Sequence, residues 1–157
     1  MFLCRFSNKL IVFTAERKLS RFPEFRTITA ENGMEKSDMD IITLILNTAP
    51  YGDERVWNAL RLAKALMAGA EKMKVNVFLL GDSVSTAKKG QKPPEGYYNL
   101  EKMLKELVDQ GAKVVACRVC INARGLSQDE LVPGVRVGST VGDLVQWVKQ
   151  SQKVLSF

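Results

Sequence analysis

The sequence predicts an α/β domain: a mainly parallel sheet of four to five strands, covered on both faces by helices in a three-layer α/β/α sandwich. Two observations carry this. Aliphatic and β-branched runs such as Ile41-Ile-Thr-Leu-Ile-Leu46 are continuous rather than alternating, as in strands buried on both faces. Between these runs lie stretches whose apolar residues repeat at helical spacing. At 157 residues the chain is long enough to close such a core without disulfides.

Residues 39–157 carry the pattern as one domain. After the first strand comes the loop Asn47–Asp53, then a helix over Glu54–Ala70 with Val56, Leu60, Ala63 and Met67 on one stripe. Lys74–Leu80 is the second strand, ended by Gly81-Asp82, and a long connection runs to about Tyr98. Asn99 caps a helix whose apolar face is Leu100, Met103, Leu104, Leu107 and Val108. Its surface offers a Glu101–Lys105 pair, and Gly111 stops it. Lys113–Cys117 and Val135–Val137 are the next strands, with a short helix between them. Ser139 or Thr140 opens the last helix, Thr140 with Asp143 fits a capping box, and Val141, Leu144, Val145 and Val148 are expected to face inward. Residues 1–38 fit no part of this pattern and are read as a poorly ordered extension, with Met34 and Met39, both just before the first strand, as alternative starts; the other reading is a short strand or helix that docks on the domain.

Composition excludes several chemistries. The chain has no histidine, which removes Ser-His-Asp and Cys-His nucleophile systems and imidazole-ligated zinc. The 23 Lys+Arg and 17 Asp+Glu are scattered, so the net +6 reads as a solvated surface and nucleic acid is disfavoured as a partner. No apolar run approaches the ~20 residues of a membrane helix. Three cysteines, Cys4, Cys117 and Cys120, do not make a disulfide scaffold, and a reducing, cytoplasmic setting is expected.

The strongest chemical feature is Cys117-Arg-Val-Cys120-Ile-Asn-Ala-Arg124-Gly125-Leu126 at the carboxyl edge of the sheet, where ligand sites of such folds gather. A thiol reacts as thiolate, and cations or helix-start amides lower its pKa. With a short helix starting near Cys120, the amides of Ile121, Asn122 and Ala123 would point at its sulfur, aided by Arg118 and Arg124. Cys120 is therefore the preferred nucleophile over Cys117. The pair is also compatible with thioredoxin-like redox chemistry, a sulfur carrier or simple packing, and with half of a metal site, whose four ligands would need two chains. A second candidate is a small-anion or nucleotide pocket formed by Asn47, Tyr51, Gly52 and Asp82, although no glycine-rich phosphate motif supports it.

Asn47-Thr-Ala-Pro-Tyr-Gly-Asp-Glu-Arg55, the run Asn58–Leu66, Phe78-Leu-Leu-Gly-Asp82 and the cysteine loop together resemble the DsrE-like proteins, especially their YchN-like branch, over residues 39–150. The resemblance implies a compact α/β fold assembled as a homotrimer or hexamer. It also implies persulfide sulfur carried on a loop cysteine, mapped here onto Cys120. Cys117 matches an additional cysteine of the branch and could resolve the persulfide, with Arg124 stabilising the anion. Sulfur donor and acceptor proteins would be the partners, with no cofactor and no resident metal. The alternatives are a non-enzymatic small-ligand or anion-binding module and a CxxC disulfide redox protein.

Overall fold

The computed structural model describes residues 40–70 and 72–157, together with the backbone of two N-terminal strands. Those strands, β1 (Leu3–Phe6) and β2 (Lys9–Val12), pair antiparallel with Leu3 opposite Val12. They belong to a unit, residues 1–38, separate from residues 39–157. The expectation of disorder for 1–38 otherwise lies outside the described residues.

The larger unit is a five-stranded sheet in the order β6-β5-β4-β3-β7, with every pairing parallel. Its strands are β3 (Ile41–Leu46), β4 (Lys74–Leu79), β5 (Lys113–Cys117), β6 (Arg136–Gly138) and β7 (Lys153–Ser156). The helices are α1 (Arg55–Ala68), α2 (Leu100–Asp109), α3 (Arg118–Ala123) and α4 (Val145–Gln150). From β3 to β6 each crossover steps the same way, and right-handed connections then put α1, α2 and α3 on one face. The return to β7 carries α4 across the other.

Contacts agree with this layering. Ion-paired Lys64 and Glu106 (2.7 Å) join α1 to α2. On the opposite face Trp147 of α4 meets Phe78 edge-on, centroids 6.0 Å apart. The Ser151 hydroxyl, at the end of α4, lies 2.7 Å from that of Thr43, which also accepts the Asn76 amide. The buried polar residues of this face thus satisfy one another. Central strands are continuous apolar runs because helices cover both sides: Leu44, Leu46, Val77, Phe78 and Leu79 are fully buried. No described helix is long and apolar enough to cross a membrane.

The structure corrects several local expectations. Helix α1 is shorter at both ends, because Asp53 caps the Arg55 amide (2.9 Å) and Gly69 is already extended. Glu101 does not pair with Lys105: it accepts the Gln91 amide, while Lys105 pairs with Asp109. Ser139, not Thr140, is the cap residue, so the box expected between Thr140 and Asp143 is replaced by a Ser139 cap. The Ser139 hydroxyl accepts the Gly142 amide (2.9 Å), and Asp143 accepts the Ser139 amide (2.7 Å). The turn that follows, Thr140–Leu144, is π-wound, so the apolar register slips by about one residue. Leu144 and Trp147 turn inward, whereas Val141 is 80 % exposed and Val145 and Val148 are also exposed.

The long connection after β4 is tied down. Gly81–Ala87 forms a 3-10 helix with Ser83, Val84, Thr86 and Ala87 buried. The Gln91 side chain donates to the Thr86 and Lys88 carbonyls and accepts the Tyr51 hydroxyl (2.7 Å). Strand β7 went unforeseen because all four of its residues are exposed and carry no core pattern.

Candidate functional site

Cys117 ends β5 and is the cap residue of α3, so Cys120 lies in the first turn of that helix. Both are free thiols; Cys117 is buried and Cys120 half-buried. The Gly81 amide, at the carboxyl end of neighbouring β4, donates to the Cys120 sulfur at 3.2 Å. Gly81 reaches it with φ of +54°, in the left-handed region. On the other side the Thr140 hydroxyl lies 3.9 Å from the Cys117 sulfur.

The two thiols have opposite tendencies. Burial pushes Cys117 up, but hydrogen bonds from the Cys120 amide, the Cys120 thiol, Thr140 and the Val119 amide outweigh it and leave the pKa below the ordinary value. Cys120 is raised, first by burial and then by donating its proton to Cys117; the Gly81 amide and Arg124 only partly oppose this. Of the two thiols, Cys117 is thus the one whose surroundings favour the thiolate. The expectation that helix-start amides of Ile121, Asn122 and Ala123 serve Cys120 is corrected, because α3 starts at Arg118, before Cys120, and the amide that meets the Cys120 sulfur is that of Gly81.

Arg124, one helical turn after Cys120, donates from Nη1 to the Cys120 carbonyl (3.1 Å). Its Nε and Nη2 both donate to Oδ1 of Asp82, at 3.2 and 2.5 Å. Cys120, Cys117, Arg124 and Asp82 therefore form one cluster.

The other residues read from the sequence do not join it. Asn47 holds the C-terminal strand, its amide donating to the Ser156 hydroxyl (2.8 Å) and the Phe157 carbonyl. Tyr51 bonds Gln91 and stacks on Tyr98, in a layer with Tyr97 and Trp57. Gly52 supplies the positive φ of the β3–α1 turn and touches no sulfur. Tyr51 lines a separate groove of about 340 Å³ with Gln91, Lys92, Pro93, Pro94 and Tyr97. Asn47, Tyr51 and Asp82 are thus each engaged with a different partner: the C-terminal strand, Gln91 and Arg124. Sequence reasoning missed the Gly81 amide and Thr140, both brought in from other elements by the sheet. Among the described residues no group of three or more Cys, Asp or Glu gathers in a metal-holding arrangement.

Comparison with known proteins agrees with this fold. Residues 40–157 match the model of the DsrE/DsrF-like family. An uncharacterized protein of Methanopyrus kandleri is 46% identical over 120 residues, spanning 76% of this chain and 95% of its own. The protein YchN of Escherichia coli is 41% identical over 119 residues, 76% of this chain and all of its own length. The crystal structure of YchN superposes with a TM-score of 0.71 over the same 76% of this chain and 100% of that one. A protein of unknown function from Methanobacterium thermoautotrophicum, 22% identical, shares the fold at a TM-score of 0.62 over 76% of this chain and 100% of its own. The chain belongs to the DsrE/DsrF-like family.

Proposed function

We propose that this protein carries sulfane sulfur on Cys120, with Cys117 as its base and resolving thiol. The observation that carries the reading is the pair of free thiols at the carboxyl edge of the sheet, one buried and one half-buried, with the Gly81 amide donating to the sulfur of the half-buried Cys120. Cys117 thiolate takes the proton of Cys120 as a donor approaches. Cys120 then attacks the terminal sulfur of a donor persulfide; the donor's S–S bond breaks and the donor leaves as thiolate. The Gly81 amide offers a hydrogen bond to the sulfur that gains negative charge. Transfer onward occurs to an acceptor thiolate. Alternatively Cys117 attacks the inner sulfur, expelling hydrosulfide and leaving a Cys117–Cys120 disulfide.

The test is mass spectrometry of tryptic peptides after incubation with polysulfide. A gain of one sulfur on the Cys120 peptide, absent in Cys120→Ser and longer-lived in Cys117→Ser, is expected; no adduct on either thiol would refute the reading. Assembly as a homo-oligomer belongs to the same proposal. Its support is the family resemblance together with the exposed apolar Val141, Val145 and Val148. Sedimentation velocity showing only monomer would remove it.

A further inference from the structure

The Gly81-Asp82 dipeptide grips the Cys120–Arg124 turn at two points: the Gly81 amide meets the sulfur and the Asp82 carboxylate meets the guanidinium. Asp82 holds Arg124 asymmetrically. Both N–H groups converge on Oδ1, leaving Oδ2 free of the arginine. The Asp82 side chain is 68% exposed and that of Arg124 31%, and ion pairs so open to water are held weakly. The third contact, Nη1 to the Cys120 carbonyl, anchors the guanidinium on the cysteine's own turn whether or not Asp82 is engaged. A positive fork with a replaceable carboxylate therefore sits on the turn that carries the half-buried Cys120. Such a fork matches the geometry of tetrahedral and planar oxyanions.

We infer that Asp82 and Arg124 form a charge-exchange latch, at which an oxyanion-bearing sulfane donor of the thiosulfate class takes the guanidinium from Asp82 and presents its outer sulfur to Cys120. The inference rests on the sulfur-carrying reading and adds the substrate class. Cys120 thiolate bonds to the outer sulfur of thiosulfate, the S–S bond of thiosulfate breaks, and its electron pair leaves on sulfite. The cysteine becomes a persulfide, and no further oxidant or reductant is needed. Arg124 holds the sulfite oxygens as their charge grows. Asp82 is a positioning residue: unoccupied, the latch keeps the guanidinium neutralised, and neutral donors gain nothing from it.

The test uses the full chain carrying Cys4→Ser and two methanethiosulfonate reagents, one bearing a sulfonate and one a trimethylammonium group. Both transfer their thiol group to cysteine and release methanesulfinate, so the ratio of their rates at Cys120, read by peptide mapping, reports the local charge. Asp82→Asn is expected to raise the sulfonate-over-ammonium ratio roughly tenfold. Arg124→Gln is expected to lower it below the parent value, and thiosulfate should slow the sulfonate reagent in the parent but not in Arg124→Gln. Arg124→Lys keeps the charge and should hold the ratio near the parent's. General loosening of the fold raises both rates together and leaves the ratio unmoved. A ratio indifferent to both Asp82→Asn and Arg124→Gln overturns the latch. A responsive ratio with no sulfur moving from thiosulfate to Cys120 keeps the charge exchange and overturns the donor class. If polysulfide also fails to load Cys120, the sulfur-carrying reading falls with it.

Discussion

Replacing Gly81 by alanine perturbs the backbone and the sulfur at once, and the two effects can be separated. At φ of +54° an alanine Cβ crowds its own backbone, which costs roughly 1–2 kcal/mol. The added Cβ would also stand 3.3 Å from the Asn47 carbonyl oxygen. That carbonyl cannot yield freely, because the Asn47 amide is bonded to the Phe157 carbonyl at 2.9 Å at the end of a buried strand. Together these predict a loss of about 2 kcal/mol, or a fall in Tm of roughly 4–8 °C for a chain of this size. Any shift of the 81 amide also takes a hydrogen bond from the Cys120 sulfur, so this thiol should move further upward in pKa and alkylate more slowly at neutral pH. Urea unfolding and iodoacetamide kinetics on the Cys120 peptide, in a Cys4→Ser background, measure the two effects. Gly81→Asn, which tolerates the left-handed region better, should recover part of the stability but not the Cβ contact. Parent-like stability and parent-like alkylation in Gly81→Ala would refute both steps.

Three further outcomes follow from the geometry. Cys117→Ser removes the ionisable neighbour that raises Cys120, so the alkylation midpoint of Cys120 should fall; a rise would mean that Cys120, not Cys117, holds the first negative charge. Asp143 is held below its ordinary value of 3.8 by the hydrogen bond from Arg136 and then by the Ser139 amide. Its folded pKa is depressed, so its contribution is fully present above the unfolded value near 3.8 and is lost as pH falls from there through the lower folded value; Asp143→Asn should cost about 1 kcal/mol at pH 7 and flatten the acid limb of a stability–pH curve. Trp147→Ala should cost roughly 3–5 kcal/mol in urea unfolding while Val141→Ser stays within about 0.5. Equal effects would contradict the inward face assigned to the last helix.

Local chemistry made much of the fold legible. Ile41–Leu46 and Lys113–Cys117 form strands at the expected positions because buried parallel strands are uniformly apolar, a signal that needs no partner to be read. Asn99 caps α2 through its own side chain to the Lys102 amide (3.0 Å), again a local event. The failures are places where a neighbour decides. Strand β7 exists because the edge of β3 is open to pair with it, not because Lys153–Ser156 has a core face. Val141 reads as apolar and inward by helical spacing, but the π-wound turn held by Ser139 and Asp143 rotates it to solvent.

At the candidate site the same division of local and non-local signals assigns the roles of the two sulfurs. The sequence shows two cysteines three apart and two arginines, which places a reactive pair at a strand end but leaves open which sulfur is charged. That depends on where α3 begins. A start at Arg118 makes Cys117 the cap residue, and it leaves Cys120 to find its amide on another element, at Gly81 just past β4. The surroundings then lower the pKa of the buried Cys117 and raise that of Cys120, an order that suits the proposed transfer, in which Cys117 takes the proton of Cys120 as a donor arrives. Arg124 follows the same logic. Its cation was visible in the sequence, but its neutralisation by Asp82, 42 residues away, was not, and that pairing turns a generic basic residue into a site with a choice of anion.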